Sequence, residues 1–513
     1  MSQKGFFSIF PKVTKGLKLA LCIKAGIKIA VVVFLAVTAG GCKTTQTLAD
    51  AAAPPAPQPI APKPAAPKPA VAGKTLQEKK LAFALQVQDK LKTGALKDAL
   101  ATWDKADEAL QSDYDMRVLK TSILLADGQS ERAGTELAAM LHEKPSDVSL
   151  MVMSAMVEKS KGDSKKQLEM LQKAIKIEPK NAAVNTEMGA YYMIKRNFAL
   201  AKKYYETAKT TNPNDETALV GYGESCYYTN NLLEARVVFT AVVAKNPKNG
   251  QAIANLAKLD FESDNFKKAV DGYAEALKYA PDQYAYWIDY GKALQRYGRP
   301  QEAIKAWNKA ASLSPNYFLA YTHLAGIYDQ SDNIPSAITN YKKVIELNPG
   351  YYFAYEPLGM FAWHEGNWRE ARFFFLSAYK ANPSNVFYSL LVAATYLKEN
   401  DAKSSKDFLT QVMTTMNKAS TEYAIVRLYF DGLADTAVAQ KISKEANSNV
   451  RGKFMYYMGL FYELNNNTIL AEKYYQDVYD LKAPMFFEYR LNDWALTGIK
   501  TKTETETKTA RKG

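Results

Sequence analysis

Apolar and small residues recur along most of this chain at helical spacing, and the runs stop at regular intervals. In AKKYYETAKTTNPND, residues 201–215, Ala201, Tyr205 and Ala208 fall at i, i+4 and i+7, one face of a helix. Pro213 has no amide hydrogen to donate and clashes with the preceding turn, so the helix is predicted to end near Asn212. The stop recurs: Pro145, Pro179, Pro213, Pro247, Pro281, Pro315, Pro349 and Pro383 lie 34 residues apart. With this proline counted as position 32, position 20 reads Ala201, Ala235, Ala269, Ala303, Ala337 and Ala371. Position 24 reads Tyr205, Phe239, Tyr273, Trp307, Tyr341 and Phe375, and position 8 reads Gly189, Gly223, Ala257, Gly291, Ala325 and Gly359. The pattern predicts two antiparallel helices in every 34 residues.

Small residues at positions 8 and 20 let two backbones approach where a larger side chain would overpack. The aromatic at 24 fills the space between neighbouring pairs, and burying one is worth about 1.5–3 kcal/mol. Between the helices, position 16 is Asn197, Asn231, Asn265, Asn333 or Asn367, with Arg299 the exception; asparagine suits the left-handed turn that closes a helix. Pro300 and Pro335 sit where second helices start, where a missing N–H costs least.

A 34-residue period in this register resembles the tetratricopeptide repeat (TPR) family, with strong motif agreement over six consecutive units. The resemblance implies an all-α fold: a TPR solenoid, a right-handed superhelix of about twelve helix-turn-helix repeats over residues 80–484. The pattern fades at both ends. Ala99, Trp103 and Ala106 occupy positions 20, 24 and 27 of a unit starting at Lys80, and the next two units use Leu137 and Leu171 in place of the aromatic. Residues 386–419 keep the period without its proline, residues 420–451 are degenerate, and Gly459, Tyr462, Ala471 and Tyr475 restore the motif two residues out of step. A capping helix is expected over 485–499. The tail KTKTETETKTARKG, 500–513, has no apolar surface to bury and is expected to be disordered.

The first residues follow a different pattern. Six lysines precede the apolar run Ile29–Ala39, which Gly40, Gly41 and Cys42 follow. A basic segment, a short apolar core and small residues before a cut mark a secretory signal, and the run is short for a membrane span of about 20 residues. The small residues before Cys42 resemble the lipobox of bacterial lipoproteins. That resemblance implies a signal peptide over 1–41, cleavage, and acylation of Cys42; three acyl chains would hold the protein on a bilayer far more firmly than one. Lys43 stands where aspartate signals inner-membrane retention in the enterobacterial scheme, so a host using that scheme would deliver the protein to the outer membrane, with its body in the periplasm. Residues 42–79 then form an anchor and a Pro/Ala-rich linker, whose APPAPQPIAPKPAAPKPA favours extended polyproline II at about 3.1 Å per residue. Cleavage leaves Cys226 as the one thiol of the mature body, with no disulfide framework.

Charge changes the picture only through its location. The formal charge is +13, of which residues 1–41 carry six, residues 42–80 four and residues 500–513 three, so residues 81–499 are neutral. A nucleic-acid binder carries its charge on the fold, and none is expected here.

In the TPR family the first helices line a concave surface, and positions 2, 5, 9, 12 and 13 face the ligand. The resemblance therefore implies a partner-binding face built from Tyr227, Tyr228, Lys258, Phe261, Lys292, Gln295, Arg296, Asp329, Met360, Trp363 and His364. Aromatics with interleaved bases suit a peptide with apolar anchors and a carboxylate, although the same aromatics serve equally well as inter-repeat core. Trp363 and Tyr228 stand out because the packing positions of their units are already filled. Position 5 offers Thr186, Val220, Ala254, Ile288, Thr322 and Glu356, so the lysine clamp that grips acidic chaperone tails is absent.

Catalysis is not indicated. His142, His323 and His364 form no HExxH or clustered ligand pattern, and no G-x-S-x-G elbow, phosphate loop or Cys–His pairing is present. Cys226 reads as a small buried hydrophobe. No metal or cofactor is implied. Two functions remain: an outer-membrane-anchored periplasmic scaffold for proteins of a cell-envelope machine, or a structural spacer that sets distance or self-associates.

Overall fold

The computed structural model describes residues 75–510, with side chains through Thr501. The expected signal peptide, Cys42 and most of the Pro/Ala linker lie outside the described residues. Among the described residues there are 26 α-helices and no strand. The chain divides into two compact units, one ending at Gln283 and the other beginning at Tyr284.

The first unit holds six antiparallel hairpins: α1 (Leu76–Lys92) with α2 (Leu96–Asp104); then, after a single turn α3 (Glu108–Gln111), α4 (Tyr114–Ala126) with α5 (Ser130–Glu143); α6 (Val148–Lys161) with α7 (Ser164–Ile177); α8 (Ala182–Ile194) with α9 (Phe198–Thr211); α10 (Glu216–Tyr228) with α11 (Leu232–Lys245); and α12 (Gly250–Glu262) with α13 (Phe266–Tyr279). The second holds six more: α14 (Tyr284–Arg296) with α15 (Pro300–Leu313); α16 (Leu319–Gln330) with α17 (Ile334–Leu347); α18 (Tyr355–His364) with α19 (Trp368–Ala381); α20 (Phe387–Lys398) with α21 (Ala402–Met413); α22 (Thr421–Asp431) with α23 (Asp435–Ser443); and α24 (Ser448–Leu464) with α25 (Thr468–Asp480). A final helix, α26 (Glu488–Ala510), closes the second unit.

Each motif residue has a visible task. Helix α9 ends at Thr211, with Asn212 as its cap and Pro213 just beyond. A Cβ on Gly189 would lie 2.8 Å from the Tyr205 ring; on Gly223, 2.6 Å from Phe239; on Gly291, 2.3 Å from the Trp307 indole; and on Gly359, 2.5 Å from Phe375. Position 8 is therefore small chiefly to seat the position 24 ring of its own hairpin. That ring also reaches the next hairpin: a Cβ on Gly221 would lie 2.3 Å from Tyr205. Trp307 is wholly buried and donates its indole N–H to the Ile288 carbonyl at 3.1 Å. Leu137 and Leu171 fill the same role in the early hairpins and are fully buried.

The asparagines of position 16 work differently from the expectation. The left-handed residue is position 15: Gly94, Gly128, Gly162, Arg196, Asn230, Asp264, Gly298, Asp332, Gly366 and Asn400 all have φ between +53° and +83°. Position 16 keeps negative φ, and at Asn197, Asn333 and Asn367 it serves both helices. The Asn197 amide donates to the Tyr192 carbonyl at 2.9 Å and closes α8, while its side-chain oxygen accepts from the Leu200 amide at 3.2 Å and opens α9. Asn333 and Asn367 cap α17 and α19 in the same way. The amide of position 16 must fold back to end the first helix, so the reversal falls one residue earlier.

Two expectations at the C-terminal end are corrected. The closing helix starts at Glu488 rather than 485, and it continues through the tail to Ala510. No glycine or proline interrupts residues 499–510, and lysine and glutamate alternate four apart, Lys500 with Glu504 and Glu504 with Lys508. The alternating threonines are poor helix formers, so the extension is the propagation of a helix already started by packed residues, which adds a hydrogen bond per residue without a new nucleus.

Candidate functional site

Each second helix packs on the first helix of the next hairpin within its unit, and first helices touch one another along α6, α8, α10 and α12 of the first unit and along α20, α22 and α24 of the second. The first helices are thus drawn together on one side, which makes theirs the inner face of each unit. The predicted binding residues divide between these two faces.

In the first unit, Tyr227, Tyr228 and Lys258 come together. Tyr228 ends α10 with 47% of its surface exposed and stacks on Phe198 at 4.5 Å and 14°. Tyr227 meets Tyr228 edge-on at 5.1 Å. From α12, the Lys258 ammonium lies 4.1 Å from the Tyr227 ring centre and 5.0 Å from that of Tyr228. The Tyr227 hydroxyl donates to Glu262 at 3.1 Å. Phe261 packs edge-on against Phe266 at 5.5 Å. The result is a half-exposed aromatic platform with a cation held over it. Such a surface offers stacking area to an apolar side chain and a positive charge to a carboxylate.

In the second unit, Lys292 pairs with Asp289 at 2.5 Å on its own helix, and Gln295 reaches Gln330 at 3.3 Å. Arg296 is exposed at the end of α14. Met360, expected to face a ligand, is instead buried, its apolar side chain part of the core cluster that holds Tyr355, Leu358 and Phe374. Trp363 is half-buried, edge-on to Trp368 at 5.1 Å and to Phe375 at 6.4 Å. Lys398 lies 5.9 Å from the Trp363 ring and pairs with Glu463 at 2.5 Å, two hairpins further along. His364 stacks on Trp494 of α26 at 4.2 Å. Asp329 accepts from Arg490, also of α26, and Asp332 accepts from the same guanidinium at 3.1 Å. This inner face is thus covered by the protein's own last helix.

Sequence reasoning missed Arg490, Trp494 and Glu488. Their spacing on one predicted helix was readable, but their partners lie more than a hundred residues away in the case of Arg490 and Asp329. Glu488 is fully buried at the start of α26. Its Oε1 lies 2.9 Å from the Tyr457 hydroxyl, which also lies 3.1 Å from the Phe387 carbonyl oxygen. Its Oε2 has only the Lys453 ammonium at 3.8 Å. Burial pushes this carboxyl up to about 7, and nearby Glu356 adds to the shift. Glu356, which accepts from Tyr388, is raised by burial too.

Other titratable groups have structural explanations. Cys226 is buried, and its thiol is pushed up to about 11 by that burial. His323 stacks on Trp307 at 4.9 Å and is pushed down to about 4, by burial first and then by Lys292. Among the described residues, no group of three His, Cys, Asp or Glu side chains could hold a metal ion.

The hairpins, their register and this inner face define a helical-repeat interaction protein. The family description "Tetratricopeptide repeat" matches residues 148–181, 228–297 and 319–351, and the chain carries tetratricopeptide repeats over these residues. Superkiller protein 3 of Schizosaccharomyces pombe is 25% identical over 159 residues, which is 29% of this chain and 11% of that protein. The chain thus spans about a tenth of the length of this curated relative. Similar solved structures include MamA, 20% identical over 32% of this chain and 95% of that one, with a TM-score of 0.29. PilF of Pseudomonas aeruginosa is 15% identical over 40% of this chain and 92% of that one, with a TM-score of 0.35. PilW, a type IV pilus biogenesis factor, is 16% identical over 42% of this chain and 99% of that one, with a TM-score of 0.37. Proteins of this family mediate protein–protein interaction, and that is the coarse function of this chain.

Proposed function

We propose that this protein is a periplasmic scaffold, anchored to the outer membrane through acylated Cys42, that binds proteins of a cell-envelope machine such as a secretion, pilus or gliding-motility assembly. The observation that carries the binding part is the Tyr227–Tyr228–Lys258 cluster, an exposed aromatic platform with a cation on the inner face of the first unit. Tyrosine is among the residues that dominate interface energetics, and a platform fixed in advance binds with less loss of side-chain freedom. The anchoring part is supported by the basic segment, apolar run and Ala39–Gly40–Gly41–Cys42 of the sequence. No described helix is long and apolar enough to cross a membrane.

Pull-down from envelope extracts tests the first part. The Tyr228→Ala, Lys258→Ala double variant should fold as wild type and lose its partners; undiminished capture would overturn the assignment of this face. Mass spectrometry of the mature amino terminus tests the second, since a chain still beginning at Met1 refutes both cleavage and acylation. Self-association is favoured by one observation: Leu233 and Val237, one turn apart on α11, are 85% and 69% exposed. Light scattering at several concentrations decides it, because self-association must depend on concentration.

A further inference from the structure

Helix α26 presents two faces with different chemistry. One is a cap. Leu491, Asn492 and Leu496 are buried, and the Asn492 amide donates to the Tyr475 carbonyl of α25 at 3.0 Å. A terminal repeat needs such a cover for its apolar flank. The other face carries Arg490 and Trp494, one helical turn apart. Arg490 reaches back to Asp329 and Asp332 at the end of α16, and its guanidinium lies 5.3 Å from the Phe361 ring and 4.9 Å from that of Trp494. Trp494 in turn stacks on His364 at 4.2 Å. Capping α25 requires none of these contacts.

The surface engaged by this second face is made of first-helix residues, with Asp329 at position 12 and His364 at position 13 of their hairpins, and of Asp332 in the turn that follows α16. The Tyr341 hydroxyl, 3.3 Å from Asp329, helps to hold that carboxylate in place. Asp332 is largely exposed in the pair, and a surface ion pair of this kind is weak and readily exchanged. A planar guanidinium between two carboxylates, flanked by aromatic rings, is a recognition geometry specific to arginine.

We propose that α26 is a resident ligand of the inner face of the second unit, and that the surface under Arg490 and Trp494 is a receptor for a partner helix presenting an arginine and an aromatic residue one turn apart. The resident helix sets a threshold: a partner must outcompete an intramolecular ligand present at high effective concentration. This inference rests on the reading of the inner faces as partner-binding surfaces, but it concerns the second unit alone.

The test uses the full chain and a fluorescent synthetic peptide of residues 486–500. Arg490→Ala with Trp494→Ala weakens the resident contact. Anisotropy should show the peptide binding this double variant at least tenfold more tightly than wild type. Adding Asp329→Asn and Asp332→Asn should return binding to the wild-type level. Equal binding to all three, or none to any, with circular dichroism unchanged, overturns the proposal and leaves α26 a permanent cap. Hydrogen exchange on wild-type protein gives a measurement that does not depend on the variants. Amides of residues 491–500 should exchange at least ten times faster than those of α25 after correction for intrinsic rates; equal protection means the helix never leaves alone and refutes the idea. The pull-down with Tyr228 and Lys258 replaced reports on the first unit, so the two readings fail separately.

Discussion

Replacing Glu488 by glutamine probes the proton arrangement at the start of α26. The Tyr457 hydroxyl has one proton and faces two acceptors, the Phe387 carbonyl and Glu488 Oε1. With Glu488 ionised, one of these contacts is left without a hydrogen. With Glu488 protonated, its O–H donates to Tyr457, and Tyr457 donates to Phe387, so both are made. Burial and the neighbouring Glu356 push in the same direction and outweigh the attraction of Lys453 and the hydrogen bonds that the ionised carboxylate accepts from its own backbone amide and from Tyr457. The folded-state value of about 7 lies above the ordinary 4.5, which at 1.36 kcal/mol per pH unit is a bias of about 3 kcal/mol. The folded protein holds this proton more tightly than the unfolded chain. The resulting stability is fully present below about pH 4.5, and it is lost as pH rises to about 7 and beyond. Glutamine is neutral throughout, so the variant should gain on wild type as pH rises. Between pH 4.5 and 8 the difference in opening free energy of α24 and α26, read by hydrogen exchange with variant and wild type compared at each pH, should change by up to about 3 kcal/mol in favour of glutamine. Release of Lys453 from its partner will reduce this figure. A difference that does not vary with pH, or one that moves in favour of glutamate, would refute the reasoning.

Other predictions concern the repeat itself. Gly291→Ala places a methyl carbon 2.3 Å from the Trp307 indole nitrogen, and the overpacking should cost roughly 1–3 kcal/mol, measured by urea unfolding. Arg196→Gly relieves a left-handed residue at φ +57° and should stabilise by about 0.5–1 kcal/mol in the same assay. Asn367→Ala removes the side-chain cap of α19 and should cost about 1 kcal/mol, while Asn231→Ala should cost less because Asn231 makes no such bond. Cys226 should resist thiol reagents at pH 8 in the folded protein and react at once in denaturant, because it is buried and its thiol is raised to about 11.

The hairpins were legible because their determinants are local and repeat. A helix face, a proline stop and small residues at fixed positions are each written within one 34-residue unit, and the about twelve units they imply match the twelve hairpins. The distinction between positions 15 and 16 was less legible. Both accept asparagine, and only the backbone hydrogen bond from Asn197 to Tyr192 shows which one reverses the chain. The candidate binding residues follow from register, but their present contacts do not. Lys258 over Tyr227 joins adjacent hairpins and lies near the limit of what the period reveals.

By itself the sequence determined the helical class and the repeat length, while the ring that each small residue seats came from the structure. Class and repeat length depend on spacing along one chain segment, which folding does not alter. Only the tertiary structure decided that α26 returns over Asp329 and His364, that Met360 is core, and that Glu488 is buried beside Tyr457. Those outcomes depend on how successive hairpins rotate and bring distant first helices together. That rotation is the sum of many small packing differences between hairpins, so no single motif in the chain encodes it.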